Sequence, residues 1–258
     1  MSGVGRFLEF SIRTPDILDS LSFYKNLGFR ELTTGDMYRH KYAVVSDGVL
    51  NIGLHDREFR SPSVCIIQPD LAQHARSMAD HGFNFDFMRL EEDSFNEVAD
   101  VDIDGHALTL VEARTFHADE EDDDDSLLGT HFEISLPVRD TMRAARFWGP
   151  VTQVVESIRE EPTVHMRFEA GGIPVGLSES IGLEGASLCF KRVDPEPLQA
   201  VIEREQMSYR RYPGFEGALG VLVAPEGTHL YVFDEDFLGE TISVEETDEP
   251  IPDDLLSD

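Results

Sequence analysis

Alternation of apolar and polar residues predicts a strand, a helix and further strands, in a cycle that recurs along the chain. Residues 7–13 alternate with the period of two that is typical of a β-strand. Asp16 follows as a predicted helix N-cap, and Gly28 stands where that helix should end. The apolar stripe between them comprises Ile17, Leu18, Leu21 and Tyr24. Apolar runs near residues 29–33, 38–46 and 49–55 predict three more strands.

A second cycle has the same order of elements. It opens with a predicted strand at residues 63–67, and Asp70 is the predicted N-cap of a helix that ends near Gly82. Further strands are predicted near residues 83–88, 96–102 and 107–112. The first half of the chain therefore consists of two predicted β-α-β-β-β modules.

The second half of the chain repeats the first. Residues 131–140 resemble residues 7–16 at an offset of 124 positions. Ser187-Leu188-Cys189 resembles Ser63-Val64-Cys65 at the same offset. A constant offset through unrelated segments indicates an internal duplication.

We therefore predict an α+β fold of four βαβββ modules, paired into two tandem domains with curved mixed sheets. Asp140 and Asp194 are the predicted helix N-caps of the second pair of modules. The predicted domains are 1–116, with modules at about 5–58 and 61–114, and 129–236, with modules at about 129–180 and 184–236.

Acidic residues are concentrated between and after the predicted domains. The net charge is −30, from 51 Asp and Glu against 21 Lys and Arg. Residues 117–128 hold seven of the acids and residues 237–258 hold eight, with no Lys or Arg in either segment. Like charges at this density oppose packing, so we predict a solvated linker and a solvated tail.

Composition argues against several classes of function. The acidic balance disfavours nucleic acid and anionic lipid, which both favour basic surfaces. No apolar run reaches the roughly 18 residues of a membrane-spanning helix, and the N-terminus lacks the apolar core of a signal peptide. Two cysteines, Cys65 and Cys189, are too few for a disulfide framework, so we expect a cytoplasmic location.

Three motifs stand at the ends of predicted elements. They are Pro15-Asp16, Ser22-Phe23-Tyr24-Lys25-Asn26-Leu27-Gly28-Phe29 and Asp104-Gly105-His106-Ala107-Leu108. Together with the module pattern over residues 5–236, they resemble the vicinal oxygen chelate superfamily. This superfamily includes glyoxalase I, extradiol ring-cleaving dioxygenases, and fosfomycin and bleomycin resistance proteins. The resemblance implies that paired modules form one cleft in each half of the chain.

In metal-using members of this superfamily, the ligands stand on the first and last strands of each module. The resemblance places the first-strand positions on Glu9, Ser63, Glu133 and Ser187, and the last-strand positions on Gly53, Thr109, Gly176 and Tyr231. Each cleft then has one carboxylate, whereas a divalent metal takes about three or four His, Cys or carboxylate ligands. We expect no cofactor, and a divalent metal is disfavoured unless off-pattern histidines such as His40, His55 or His165 turn inward.

Glu9 and Glu133 are the candidate catalytic residues. Alternation places Glu9 and Ser11 in one cleft, and Glu133 and Ser135 repeat this in the other. The residues expected on the opposite, helix-covered face of the first strand are Leu8, Phe10 and Ile12. A carboxylate in a partly desolvated cleft can act as general base or acid, or attract a cation. The alternative is a structural pairing, with Arg13 as one candidate partner of Glu9.

Other side chains give weaker signals. Cys65 and Cys189 could line the clefts, but small buried thiols are ordinarily packing residues. Tyr24 and Trp148 occupy equivalent helix positions and are expected to pack in the core. The segment Tyr209-Arg210-Arg211-Tyr212 could contact an anionic group or form an exposed strand face.

The sequence leaves three functions open. The first is a glyoxalase- or bleomycin resistance-like protein that is metal-free and binds a small organic molecule, aromatic or cationic, in one or both clefts. The second is a lyase, isomerase or dioxygenase that acts through Glu9 or Glu133, with or without a divalent metal. The third is a non-catalytic interaction module with vestigial clefts, in which the acidic segments dock a partner. The chain is expected to be a monomer or a homodimer.

Overall fold

The structure is a computed structural model of the chain. It describes residues 5–80, 83–91, 95–117, 126–160, 163–179, 182–192, 194–211 and 219–234. Four α-helices, a short 3-10 helix (Gly149–Val151) and two sheets lie within these residues. Among the described residues, none of the helices combines the length and the apolar character that crossing a bilayer requires.

The first half follows the predicted cycle twice. Its elements are β1 (Arg6–Arg13), α1 (Ile17–Asn26), β2 (Arg30–Leu32), β3 (Tyr42–Ser46), β4 (Asn51–His55), β5 (Ser63–Ile67), α2 (Leu71–Asp80), β6 (Phe87–Arg89), β7 (Glu97–Val101) and β8 (Ala107–Val111). The second half has the same order. Its elements are β9 (Thr130–Pro137), α3 (Thr141–Trp148), β10 (Gln153–Glu160), β11 (Thr163–Ala170), β12 (Ile173–Ser178), β13 (Ser187–Arg192), α4 (Glu196–Glu205), β14 (Tyr209–Arg211), β15 (Leu219–Val223) and β16 (His229–Asp234).

Each half forms one eight-stranded mixed sheet from two modules. The strand order is β2-β3-β4-β1-β5-β8-β7-β6 in the first sheet and β10-β11-β12-β9-β13-β16-β15-β14 in the second. Within a module the first and last strands pair in parallel, as β1 pairs with β4 and β5 with β8. The first strands of two modules pair antiparallel, as β1 pairs with β5 and β9 with β13. The predicted α+β fold of four βαβββ modules is confirmed.

Predicted capping residues begin the first helix of each half. The carboxylate of Asp16 accepts hydrogen bonds from the backbone N–H groups of Leu18 and Asp19. Asp140 does the same for the N–H of Arg143. Gly28 follows Leu27, the C-cap of α1, and has a φ of 94°, a conformation that glycine adopts without steric cost.

The helices of both halves pack into one apolar core. This core cluster includes Tyr24 and Met78 from α1 and α2, and Trp148 and Leu198 from α3 and α4. The helix-covered faces of the two sheets contribute the rest of this cluster, such as Phe10 and Ile12 from β1. The opposite, open faces of the sheets carry two smaller apolar clusters. We call these open faces the first and the second cleft face.

The expected position of Leu8 is wrong. Leu8 packs with Val44 and Cys65 on the first cleft face rather than with Phe10 and Ile12. The register of β1 against β5 shifts between Phe7 and Glu9. Such a bulge adds one residue to a strand and places neighbouring side chains on the same face.

The predicted linker, residues 117–128, joins the folded structure at both ends. Leu128 is fully buried in the core, and the N–H of Leu127 bonds to the carbonyl of Leu27, 2.8 Å away. The N–H of His117 bonds to the carbonyl of Thr33. The prediction of a fully solvated linker is therefore wrong for these two leucines. It rested on the seven acidic residues before them and gave too little weight to the apolar side chains. Residues 118–125 and the predicted tail, 237–258, lie outside the described residues.

Candidate functional site

Glu9 lies in the centre of the first cleft face and is buried, with 1% of its surface exposed. Ser11 donates a hydrogen bond to its Oε1, 2.7 Å away, and Nε2 of His55 lies 2.8 Å from the same oxygen. The hydroxyl of Tyr42 donates to Oε2. Burial alone would raise the pKa of Glu9. The hydrogen bond and charge of His55, together with the hydrogen bonds from Tyr42 and Ser11, lower it by more than burial raises it. The pKa of Glu9 therefore lies below its usual value.

Gly53 makes room for this carboxylate. It lies beside β1 in the parallel strand β4, and a Cβ at this position would overlap the carboxylate carbon and both oxygens of Glu9. Any larger residue would displace Glu9. The predicted first-strand and last-strand positions of the module are thus in direct contact, with the carboxylate of one over the glycine of the other.

A chain of hydrogen bonds leads from Glu9 toward the surface. Because ionised Glu9 only accepts hydrogen bonds, Nε2 of His55 is the donor to it. Nδ1 of His55 shares a hydrogen bond with Nε2 of His40, 3.0 Å away. His40 is partly exposed, and burial and the charges of His55 and Arg57 lower its pKa to about 4.

The second cleft face repeats the pairing of carboxylate and glycine. Glu133 is buried, and a Cβ at Gly176 would overlap its carboxylate. Nε2 of His165 lies 2.9 Å from Oε2 of Glu133. Ser135, the equivalent of Ser11, is also buried.

The imidazole comes from a different strand in each half. Tyr42 on β3 pairs across the sheet with His55 on β4, and the equivalent pair in the second half is His165 on β11 with Ser178 on β12. Each buried glutamate therefore has one histidine beside it, at exchanged positions. Two of the three off-pattern histidines named from the sequence do turn inward, and both contact a predicted site residue.

The donor set does not fit the divalent metal that the superfamily implies. Both oxygens of Glu9 already accept hydrogen bonds, and both nitrogens of His55 are engaged. Glycine replaces a ligand at the last-strand position, and the Glu9 carboxylate fills the space that a side chain there would need. Among the described residues, no group of three or more His, Cys, Asp or Glu is arranged to hold a metal ion.

The remaining predicted site residues are one pair in each half of the chain. Ser63 and Thr109 are buried side by side on the first cleft face, with their hydroxyl oxygens 2.7 Å apart. In the second half, Ser187 donates to the carbonyl of Gly185, 2.8 Å away, and so faces a loop. Tyr231 is buried nearby in a separate small cluster with Cys189. The structure thus joins Ser63 to Thr109, whereas Ser187 bonds away from its sheet.

A cavity of about 620 Å³ opens on the first cleft face beside Thr109. The loop after β4 and the strands β6 to β8 form its walls, with Arg57 and Phe59 on one side and Phe87 and Asp100 on the other. The ring of Phe59 packs against that of His55, with centroids 5.5 Å apart. The cavity therefore lies next to the chain of hydrogen bonds, but Glu9 does not line it.

Glu97 is a buried charge that lines this cavity and that sequence reasoning missed. It is 2% exposed and forms ion pairs with Arg57 and with Arg89, the latter at 2.9 Å. Its hydrogen bonds and charge, acting against burial, raise the pKa of Arg57. The one available signal was a glutamate at the start of a predicted strand, next to the apolar Val98.

The structure also bears on the expected partner of Glu9 and on the two cysteines. Arg13, the candidate partner, pairs with Glu58 at 2.6 Å and does not contact Glu9. The pKa values of Cys65 and Cys189 are raised well above the usual range by burial, assisted by the charges of Glu9 and Glu133. Both thiols are free and buried, which agrees with a packing role.

Comparisons with solved structures find the same fold in several dioxygenases. No protein-family model and no curated protein matches the sequence. A catechol 2,3-dioxygenase is 12% identical, with a TM-score of 0.56 over 90% of this chain and 88% of its own. The 2,3-dioxygenase LapB from Pseudomonas sp. KL28 is 14% identical, with a TM-score of 0.58 over 91% and 93%. A mutant of homoprotocatechuate 2,3-dioxygenase from Brevibacterium fuscum is 12% identical, with a TM-score of 0.56 over 90% and 73%. The chain has the vicinal oxygen chelate fold.

Proposed function

We propose that this protein binds a small organic molecule without a metal, in the cavity on the first cleft face. The observation that carries the proposal is a cavity of about 620 Å³ that Glu9 does not line, while both oxygens of the Glu9 carboxylate already accept hydrogen bonds from protein side chains. Pockets for small molecules span roughly 300–1,000 Å³. The ligand would contact the walls of the cavity, and Glu9 would hold those walls in place through His55.

The walls favour a ligand with an aromatic body and a cationic group. Phe59 and Phe87 supply apolar faces. Glu97 is already paired with two arginines, whereas Asp100 is partly buried near Asp86. Burial and the charge of Asp86 raise the pKa of Asp100 above its usual value. A ligand ammonium group would favour the ionised form of Asp100 and would be favoured by it in turn.

Titration with benzylamine, and with benzyl alcohol as its neutral isostere, tests this proposal. Calorimetry should show saturable binding of benzylamine and weaker binding of benzyl alcohol. Asp100→Asn should weaken benzylamine binding about tenfold or more, since a charged hydrogen bond contributes roughly 1.5–3 kcal/mol. Asp36→Asn, at an exposed position outside the cavity, is the matched control. Equal binding of both compounds, or no effect of Asp100→Asn, would contradict the proposal.

The absence of a metal requirement is part of the same proposal. Protein purified without chelator should contain far less than one metal ion per chain. Near-stoichiometric iron, manganese or zinc that is lost in the Glu9→Ala/Glu133→Ala variant would instead support a metal enzyme of the dioxygenase or glyoxalase type.

A metal-independent lyase or isomerase is the second candidate function. The observation that favours it is the hydrogen-bonded chain from Glu9 through His55 to the partly exposed His40, which could carry a proton. Incubation in D2O with carbonyl compounds that have acidic C–H bonds would show deuterium incorporation if Glu9 acts as a base. Incorporation that Glu9→Gln abolishes would support this function, and incorporation unchanged by Glu9→Gln would exclude Glu9 as the base.

Several expectations from the sequence stay predictions. They include the division into domains 1–116 and 129–236, the docking role of residues 237–258, the monomeric or dimeric state and the cytoplasmic location. Deletion of residues 237–258 tests the docking role, because an interaction module would then lose its partner while benzylamine binding would persist.

A further inference from the structure

A second cavity lies on the helix-covered side of the second sheet. It has a volume of about 110 Å³ and opens between α4 and the strands β14 to β16. Leu198, Ile202 and Val232 give it apolar walls, and Arg192 and Arg211 line it as well. Glu133 and Gly176 do not line it, so it is separate from the second cleft face.

Arg192 brings an incompletely bonded guanidinium to this cavity. Its Nε donates to the backbone carbonyl of Asp194. Its Nη1 is buried and has no hydrogen-bond partner in the part of the chain that the structure describes. Burial lowers the pKa of Arg192, although the charge of Asp194 opposes this. A buried donor without an acceptor is unfavourable, and the positive charge of this guanidinium favours an anionic oxygen in the cavity that Arg192 lines.

The strand β14 supplies the second arginine and an aromatic ring. Arg211 pairs across the sheet with Gly220, and Tyr209 covers the same glycine, since a Cβ at Gly220 would overlap the Tyr209 ring and hydroxyl. Both residues belong to the basic and aromatic segment seen in the sequence, of which Tyr212 lies outside the described residues. The glycine therefore lets an aromatic wall stand next to the two guanidinium groups.

We propose that this cavity binds a small carboxylate with an apolar or aromatic body. Two arginines outnumber the single acid on the wall, Asp234. A guanidinium matches the two oxygens of a carboxylate with two parallel N–H groups, and the apolar wall would hold the body of the ligand. The volume suits a compact acid rather than a nucleotide. In a chain with a net charge of −30, a local pair of arginines is the feature that selects an anion.

Benzoate is the probe for this site, with benzyl alcohol as the neutral comparison compound. Calorimetry and NMR titration of the full chain should show one saturable benzoate site and at least about tenfold weaker binding of benzyl alcohol. Arg192→Gln should weaken benzoate binding about tenfold or more. Gln199→Trp, which blocks the cavity from α4 without removing an arginine, should do the same. Arg210→Gln is the control, because Arg210 does not line the cavity and lies 3.7 Å from Glu184 instead.

Three results would overturn this proposal. They are the lack of saturable benzoate binding, equal binding of benzyl alcohol, and wild-type affinity in both Arg192→Gln and Gln199→Trp. If Arg192→Gln does not fold, Gln199→Trp and the comparison with benzyl alcohol decide. The benzylamine titration addresses the first cleft face alone, so this proposal can fail while that one stands, and the reverse.

Discussion

The hydroxyl of Tyr24 in the first half donates a hydrogen bond to the carboxylate of Glu226 in the second half, 2.6 Å away. The indole N–H of Trp148, at the equivalent position of the second half, donates to Asp102 of the first half at 3.0 Å. Glu226 lies in the turn between β15 and β16, and Asp102 lies in the turn between β7 and β8. Each half therefore inserts the last turn of its second module against the first helix of the other. Tyr24 and Trp148 pack in the core as expected, and they also join the two halves.

We predict that Tyr24→Phe lowers the free energy of unfolding by about 1–2 kcal/mol, since it removes the donor to a partly buried carboxylate. Urea denaturation of Tyr24→Phe, Glu226→Gln and the double variant measures the coupling between the two groups. The double variant should cost less than the two single variants together. Additive costs would contradict the contact. Glu203→Gln, at an exposed position of α4, is the matched control and should change stability by under about 0.5 kcal/mol.

We predict that Gly53→Ala destabilises the first half by about 1–3 kcal/mol, because the new methyl group would overlap the Glu9 carboxylate. The same substitution in a Glu9→Ala background should cost less, since the carboxylate is then gone. Gly149→Ala is the control, because a Cβ there meets no atom within 4 Å. If Gly53→Ala costs the same in both backgrounds, the glycine does not serve the carboxylate.

We predict that His131→Phe stabilises the protein by about 1–2 kcal/mol at neutral pH. His131 is buried against the ring of Phe190, and neither of its ring nitrogens makes a well-formed hydrogen bond with the described residues, although the backbone of Glu133 is close. Removing an unpaired buried polar group is favourable. The equivalent residue of the first half is Phe7, so a phenylalanine suits this strand position. Chemical denaturation measures the gain, and His117→Phe at an exposed position is the control.

We predict that the gain from His131→Phe increases as the pH falls from 6.5. Burial lowers the pKa of His131 to about 3, from about 6.5 for an unperturbed histidine. Between these values the unfolded chain binds a proton that the folded chain does not, so acid favours unfolding by about 1.4 kcal/mol per pH unit. The His131→Phe variant has no imidazole at this position, so it does not lose stability in this way as the pH falls. A difference between variant and wild type that stays constant from pH 7 to pH 4.5 would contradict the assigned pKa.

We predict that Cys65 and Cys189 do not react with a thiol reagent in the native protein. Both are buried, and their raised pKa values keep them in the unreactive thiol form at neutral pH. Ellman's reagent should detect two thiols per chain in denaturant and almost none before unfolding. Fast labelling of Cys65 without denaturant would show that the first cleft face opens.

The fold could be predicted because strand alternation, helix caps and a constant offset all survive in a single sequence. The face of the sheet on which Leu8 lies could not be predicted. A β-bulge shifts the strand by one residue, and the apolar pattern of the sequence does not reveal it. The same limit applies to the site. The position of Glu9 could be predicted from the alternation of its own strand. Its partners Tyr42 and His55 lie on two other strands, and their contact with Glu9 depends on the register between those strands, which the sequence does not reveal.

The exchange of the imidazole between strands bears on where a buried glutamate can find its partner. Each half holds one imidazole against its buried glutamate, but the imidazole comes from β4 in the first half and from β11, the equivalent of β3, in the second. The glutamate and the glycine keep their positions in both halves, whereas the histidine does not. A buried glutamate at this strand position can therefore take its imidazole partner from either of two neighbouring strands.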